Sequence, residues 1–527
     1  MKQFVSFMLC LLAFSAASAQ VTTSSMSGHV QDEQGASVVG ALVLATHTPS
    51  GTEYSAIVDG TGNYRIMNMR SGGPYSVKIS MLGFQTVLNE GINIALGDNY
   101  VLDVTLPIES TDLDEVVVTG TRSSILNSDR AGVATNINNR QLNVLPTVSR
   151  SISDFTRLTP QAGNSGSFGG RDTRYNNVSI DGAAFAQRFG LSTSNNYPGG
   201  DAQPISLDAI QEISVNLTPF DIRQSNFTGA NINAVTKSGD NSYHATAYTF
   251  QRFKSMTGDR VQDATVANAK TTSRQTYGAS VGGPIIKNKL FFFINGELEY
   301  KSFLGNQWQP STDGVGSAEN KISQTTIADL EKVSDYLQKT YGYNPGAYQN
   351  FGNSAADNYK IMARIDWNIS KNHKLMVRYN DVKSQDDNLV SGASTPGGVR
   401  LNNAGRNSIN SISFANTGYK QENRVRSITA ELNSVFSPKV SNKLLASFTN
   451  INDTRKTDGD LFPFVDIMRL GSDGKTYEGY MSFGTEIFSF NNGVLNNTFN
   501  ITDNVTIGLG QHTLTAGLSY ENQHFSN

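Results

Sequence analysis

The chain has 527 residues, 38% hydrophobic and 17% charged, with 42 basic against 45 acidic side chains and a formal net charge of −3. At roughly 100 to 200 residues per domain this length suggests three or more units, and so modest a hydrophobic content excludes a helical membrane bundle. With no long block of either charge sign, no nucleic-acid partner is indicated.

The first residues, "MKQFVSFMLCLLAFSAASAQ", carry a basic start at Lys2, an apolar run from Phe4 to Phe14, and small residues at Ala17 and Ala19. They read as a signal peptide over 1–19. The run is shorter than the roughly 18 to 20 residues a spanning helix needs, which weighs against a membrane anchor. The single cysteine, Cys10, lies inside it, so the exported chain has neither disulfides nor thiol chemistry. No later segment approaches a transmembrane helix. An exported protein rich in strands can still be a membrane protein, because a closed β-barrel satisfies every backbone hydrogen bond in lipid.

Residues 20–107 contain short β-rich runs separated by "DEQG", "DGTGN" and "SGGP", each suited to tight turns, and predict an antiparallel β-sandwich. Next, within the linker over 108–122, comes "DLDEVVVTGTR" (Asp112–Arg122). Val116, Val117, Val118 and Thr119 favour extended backbone, while Asp112, Asp114 and Glu115 keep the segment solvated and discourage self-pairing. It reads as a tether for a partner's sheet edge, with the last strand of the sandwich as the alternative.

Residues 123–240 mix short helices, short strands and polar loops, an α+β unit. "SRSISDFTRLTPQ" (Ser149–Gln161) places Ile152, Phe155 and Leu158 at helical spacing behind a serine cap. "RYNNVSIDGAAF", "AIQEISVNL" and "GANINAVTKSG" read as strands of a small sheet. The glycine-flanked polar residues Arg171, Asp172, Arg174, Tyr175, Asn176 and Asn177 are candidate substrate contacts. The alternative has Arg171, Arg174 and Arg223 pairing with carboxylates of a surrounding wall.

Over 241–527 the pattern changes to long two-faced strands. "YKIMARIDWNIS" puts Tyr359, Ile361, Ala363, Ile365, Trp367 and Ile369 on one face, with Lys360, Met362, Arg364, Asp366 and Asn368 on the other. After "KNH" the return strand "KLMVRYN" repeats the alternation, and "NVTIGLGQHTLTAGLSYEN" forms another such hairpin. Apolar-out, polar-in alternation is the pattern of transmembrane barrel strands; a soluble sandwich with one buried face is the alternative. Tight turns such as "KNH" and "GQ" alternate with long polar connections, 302–357 and 384–408, the first holding a helix in "ISQTTIADLEKVSDYLQKTYG". That asymmetry favours the barrel. About ten strands are expected, too few to surround a plug-sized unit, so the barrel is expected to be incomplete in this chain.

Taken in order, these parts resemble a TonB-dependent outer-membrane transporter of the Oar-like branch, with the SusC type as near relative. "LPTVSRSISDFTRLTPQ", "GSFGGRDTRYNNVSIDGAAF", "PGGDAQPISLDAIQEISVNLTPFDIRQSNFTGANINAVTKSG" and "YGASVGGPIIKNKLFFFINGE" carry it. The sandwich is similar to the carboxypeptidase-regulatory-like domain through Gly28, Val30, Asp32, Gly35, Val39, Gly40 and Ala41, then Asp59, Gly62, Tyr64 and Ile66.

The resemblance implies a signal peptide, periplasmic sandwich, plug and outer-membrane barrel, with Asp114, Glu115, Val116, Val117, Val118 and Thr119 as the TonB box. It implies energised transport of a large or scarce substrate such as a carbohydrate or peptide. Its partners would be TonB with its inner-membrane complex, outer-membrane lipid, an extracellular substrate and a surface lipoprotein. A surface binding or signalling protein without transport is the alternative.

Enzymatic and cofactor roles are not expected. "GASVG" (Gly278–Gly282) fits the nucleophile-elbow spacing, but Ser280 sits in an alternating strand and Pro284 follows instead of a helix. "GSDGKT" (Gly471–Thr476) resembles a phosphate loop but has Arg469 where the first glycine belongs. The six histidines lack metal-ligand spacing, and "DGTGN" has too few carboxylates for a calcium loop.

Overall fold

The computed structural model describes residues 21–108, 116–119, 134–147, 150–163, 166–185, 203–218, 221–224, 227–256, 258, 260–262, 264–265, 271–392, 405–471, 473–509 and 512–527. The signal-peptide segment, Asp112, Asp114 and Glu115 lie outside the described residues.

The first unit is built from β1 (Ser24–Asp32), β2 (Leu42–His47), β3 (Thr52–Ile57), β4 (Asn63–Met69), β5 (Gly72–Ser80), β6 (Val87–Ile94), β7 (Asn99–Val101), β8 (Val104–Leu106) and β9 (Val116–Thr119). One sheet has β1 between β4 and β7, with β8 also on β1; the other runs β3-β2-β5-β6-β9. Alternate residues point inward, so that Val43 and Ala45 of β2 meet Tyr75, Val77 and Ile79 of β5 in one buried core. Gly28 permits the close return of the chain: a Cβ there would sit 1.9 Å from the Leu102 carbonyl oxygen.

The sandwich differs from the expected antiparallel one. β7 and β8 run parallel to β1, and β9 runs parallel to β6. These strands arrive by crossing between sheets or along a linker, and only a tight hairpin forces antiparallel entry.

The second unit has a sheet of order β10-β13-β14-β11-β12, formed by β10 (Ala134–Asn138), β11 (Asn177–Ile180), β12 (Ala183–Ala184), β13 (Ile210–Asn216) and β14 (Asn231–Thr236). Two short helices accompany it, α1 (Asn139–Val144) and α2 (Ile152–Thr156). An Asn138–Gln141 capping box starts α1. α2 is shorter than the predicted helix, and Leu158 is 48% exposed while Ile152 and Phe155 are buried. It stops at Thr156, and Pro160 bars it from running further, since a proline disfavours helical backbone at the residue before and supplies no N–H.

The third unit is a nine-stranded antiparallel sheet in chain order: His244–Phe253, Thr271–Ile286, Leu290–Phe303, Ser354–Asn368, His373–Asn388, Tyr419–Ser437, Val440–Thr457, Gly493–Leu509 and His512–Ser526. The alternation expected from sequence is present. Ile361, Ile365, Trp367 and Tyr379 are exposed on one face, whereas Lys360, Met362, Arg364, Met376, Arg378 and Asn380 are buried on the other. That second face receives the plug-like unit: Phe293, Met362, Val382, Val425 and Ile451 share a core with Phe155, Phe185, Ile213 and Ile232.

At one end the strands join through tight turns, including Ser370–His373, closed by Ser370 N–H donating to His373 O. "GQ" itself lies outside the described residues, but Leu509 pairs with His512 across it. At the other end the connections 304–353, 389–418 and 458–492 are long. They hold the expected helix, α3 (Ile327–Tyr341), preceded by a strand over Ile322–Thr326. Thr326 caps α3 at its start, and Gly342, at φ 67°, ends it in the left-handed region. The connections fold onto one another around Leu330, Leu337, Tyr343, Ile412, Phe414, Met481 and Phe483. Tyr343 stacks on Phe462 at 4.2 Å, and Arg406 makes a two-point contact with Asp466 at 2.9 Å. Asp473–Thr476 of "GSDGKT" form a turn at a hairpin tip, where hydrogen bonds from the Thr476 hydroxyl and from the Thr476 and Lys475 amides hold the Asp473 carboxyl down to about 2.

Candidate functional site

Functional geometry gathers where the three units meet, at the tight-turn end of the long sheet. Its centre is Asp181. Ile180 pairs with Ala183 across a two-residue turn in which Asp181 (φ 44°) and Gly182 (φ 77°) both have positive φ. This is the Asp-Gly type I′ hairpin, whose twist matches its flanking strands. Its tip carries the carboxylate towards the wall.

There Asp181 accepts from the Thr236 amide (2.9 Å) and hydroxyl (2.7 Å) and faces two guanidinium groups. Arg378 Nη1 lies 3.0 Å from Asp181 Oδ2, and Arg364 Nη1 lies 3.5 Å from Oδ1. Arg364 also donates to the Thr236 hydroxyl (2.9 Å) and carbonyl (3.0 Å) and forks onto Asp366 at 2.7 and 2.8 Å. Arg70 of the sandwich reaches the same Asp366 at 3.3 Å. Arg378 is fully buried. One chain of opposite charges, Arg70–Asp366–Arg364–Asp181–Arg378, thus joins the sandwich, the long sheet and the plug-like unit.

Neighbouring contacts tie the same parts. Thr22 donates to Glu431 (2.5 Å) and accepts from Lys443, whose ammonium lies 3.4 Å from Glu431, and the Asn233 side-chain amide donates to Val21 O. Ser206 of the plug-like unit donates to Glu297 (2.9 Å), which Lys360 also contacts at 2.7 Å. Asn368 donates to Thr52 (3.0 Å), and the Asn241 amide to Pro49 O (2.9 Å).

Among the predicted TonB-box residues, Val116–Thr119 form β9, with Val116, Val117, Val118 and Thr119 opposite Val87, Leu88, Asn89 and Glu90 of β6. The segment was expected as a free tether; its described backbone is instead docked as a strand. An unpaired β6 edge beside a valine-rich segment supplies the physical reason.

The predicted plug-loop residues divide into two sets. Arg171, Asp172, Arg174 and Tyr175 are exposed, Tyr175 at 55%. Asn176 and Asn177 are buried and committed within the plug. Asn176 donates to Gly166 O (2.9 Å) and accepts from the Ala230 amide (3.0 Å), while Asn177 donates to Asn231 (3.0 Å). Arg223 forks onto Asp221 two residues away, which holds the Asp221 carboxyl below its usual range against the opposing effect of its burial. Among the described residues no wall carboxylate pairs with Arg171, Arg174 or Arg223. The joint has the reverse polarity, a carboxylate of the plug-like unit held by arginines of the long sheet.

Sequence reading missed Asp181, Arg364 and Arg378 as a joint. The available signals were the "DG" turn and two arginines on an inward face. Ser280 lies within strand Thr271–Ile286, paired with Asn295 and bonded to Thr246 at 2.5 Å. Among the described residues no group of three His, Cys, Asp or Glu side chains is placed to hold a metal.

Two family models match the chain: an outer membrane beta barrel domain over residues 235–527 and a carboxypeptidase regulatory-like domain over 25–107. The chain is 28% identical over 302 residues to the TonB-dependent transporter Oar of Myxococcus xanthus, covering 54% of this chain and 27% of that protein. It is 24% identical over 414 residues to the TonB-dependent receptor P3 of Formosa agariphila, covering 75% and 36%. The chain therefore spans about a quarter to a third of the length of these relatives. Among solved structures, the outer membrane transporter YddB of Escherichia coli matches at 11% identity and TM-score 0.48, over 74% of this chain and 48% of that one. These relatives are transporters and receptors rather than enzymes. With its barrel model covering more than half of its residues, the chain belongs to the outer membrane beta barrel domain family, an outer-membrane protein related to TonB-dependent transporters and receptors.

Proposed function

We propose that the protein works as a TonB-dependent transporter that moves a large or scarce substrate across the outer membrane using inner-membrane energy. The carrying observation is β9: an extended valine-rich strand at the outer edge of the sandwich, followed in the chain by a plug-like unit seated against the long sheet. A partner's sheet edge can add to such a strand through backbone hydrogen bonds, and a pull along it loads those bonds together. A pull on β9 would pass to the plug along the chain that follows it.

In this reading the division is a periplasmic sandwich over 20–107, a TonB box and linker over 108–122, a plug over 123–240 and barrel strands over 241–527. Arg171, Asp172, Arg174 and Tyr175 are the plug residues offered to substrate. Val117→Pro tests the reading, because proline removes a backbone donor from the strand. Energised uptake is expected to fall to background while surface binding of substrate persists. Undiminished uptake would sink the TonB-box assignment and leave a surface receptor that captures without transporting.

A further inference from the structure

Where the sandwich, the long sheet and the plug-like unit meet, they leave a cavity of about 80 Å³, several times what a single water needs. Its lining includes Arg70 and Ser71 of the sandwich, Asp181 of the plug-like unit, and Lys374 and Asn433 of the long sheet. The carboxylates of the lining are all engaged. Asp366 is held by Arg70 and Arg364, Asp181 by Arg364 and Arg378, and Glu431 by Lys443.

Lys374 is left over. Its ammonium donates to the Lys371 carbonyl (3.1 Å) and lies 4.3 Å from the centre of the Tyr54 ring, which uses one of its three N–H donors. Among the described residues it pairs with no carboxylate; Glu53, on the same strand as Tyr54, pairs instead with Lys371 at 3.5 Å. Two further groups of the lining lack a partner. Ser71 is only 3% exposed, yet its hydroxyl bonds to nothing in the fold. The Asn433 side-chain oxygen is likewise unbonded, and the Asn433 amide fixes its direction by donating to Glu431 (2.7 Å). Buried polar groups without partners carry a cost that a ligand can relieve.

We infer that this cavity is a binding site for a small oxyanion, hydrogen phosphate. Lys374 supplies the opposite charge and Ser71 a hydroxyl donor. The Asn433 oxygen can only accept, so it suits an oxyanion that carries a proton of its own, as hydrogen phosphate does at neutral pH and sulfate does not. Water would satisfy Ser71 and Asn433 but leave the Lys374 charge without a counterion. Bound there, the ion would touch sandwich and long sheet at once and stiffen the joint on which the plug-like unit rests. The site stands independently of the transport reading.

The test is equilibrium dialysis of the full chain, purified from outer membranes, against radiolabelled orthophosphate. A single saturable site is expected. Unlabelled phosphate should displace the label, and sulfate or phosphoethanolamine should do so at least tenfold less well, the first for want of a proton to give Asn433 and the second for its size. Lys374→Met is expected to abolish binding, and Ser71→Ala to weaken it about tenfold, the worth of a hydrogen bond to a charged group. Because the Ser71 hydroxyl bonds to nothing in the fold, its loss leaves the structure intact. Absence of saturable binding would overturn the site, as would binding that Ser71→Ala leaves unchanged. Equal displacement by sulfate and phosphate would overturn the assignment of hydrogen phosphate.

Discussion

Asp181 is the residue at which the plug-like unit meets the charges of the long sheet. It is almost fully buried, its two oxygens meet Thr236, Arg364 and Arg378, and Arg378 has no exposed surface at all. Removing one partner of a buried ion pair leaves an uncompensated charge and costs about 3–5 kcal/mol, more than the pair itself contributes. Asp181→Asn keeps the shape but leaves Arg378 without its carboxylate. The expected outcome is release of the plug-like unit from the long sheet at lower urea concentration; unchanged release would contradict the joint.

His47 makes a pH-dependent contribution in the sandwich. Burial, and then the nearby Arg70 charge, depress it from 6.5 to about 3, and its Nδ1 lies 2.7 Å from Ser50 Oγ. The folded sandwich therefore resists a proton that the unfolded chain accepts. Its stabilisation is complete above about pH 6.5 and is lost as pH falls towards 3, by about 2 kcal/mol at pH 5. Hydrogen exchange in Leu42–His47, corrected for intrinsic rates, should quicken about 30-fold between pH 7.5 and 5 by the same relation, and His47→Gln should flatten that dependence.

At the scale of elements, the Asp181–Gly182 hairpin links local conformation to assembly. Gly182 has φ 77°, and a Cβ there would lie 2.9 Å from Leu445 Cδ2 of the wall and 3.1 Å from Thr22 Cγ2. Gly182→Val would combine backbone strain of about 1–3 kcal/mol with a steric clash at the joint. It should loosen the plug-like unit as measured by urea extraction, and do so more than Gly169→Ala, which shares the positive φ but meets open space.

The long strands were legible because a period of two survives in sequence wherever one face is wet or lipid-facing and the other packed, as in Lys360–Asn368. The joint was not legible. Asp181 stands 183 residues from Arg364 and 197 from Arg378, and no local pattern encodes that meeting. The polar run Arg171–Asn177 showed the same limit: its composition did not reveal that two asparagine amides close the plug's own ladder. The valines of β9 declared a strand, but not that its edge partner would be β6.

At the scale of the whole molecule, the ion chain makes sandwich, wall and plug one electrostatic unit. Arg70 and Arg364 share Asp366, and Arg364 and Arg378 share Asp181. Loss of Arg70 would leave Asp366 to Arg364 alone, drawing that guanidinium away from its longer 3.5 Å contact with Asp181. Arg70→Met should thus weaken the plug's seat although Arg70 does not touch the plug carboxylate. Residues sharing a network show coupling of about 0.5–3 kcal/mol, whereas independent sites add within about 0.5 kcal/mol. A double-mutant cycle of Arg70→Met and Asp181→Asn, read by plug extraction in urea, should give a double variant less destabilised than the sum of the singles. Strict additivity would mean that the sandwich and plug are held separately, and that a force on the sandwich never reaches the plug through the wall.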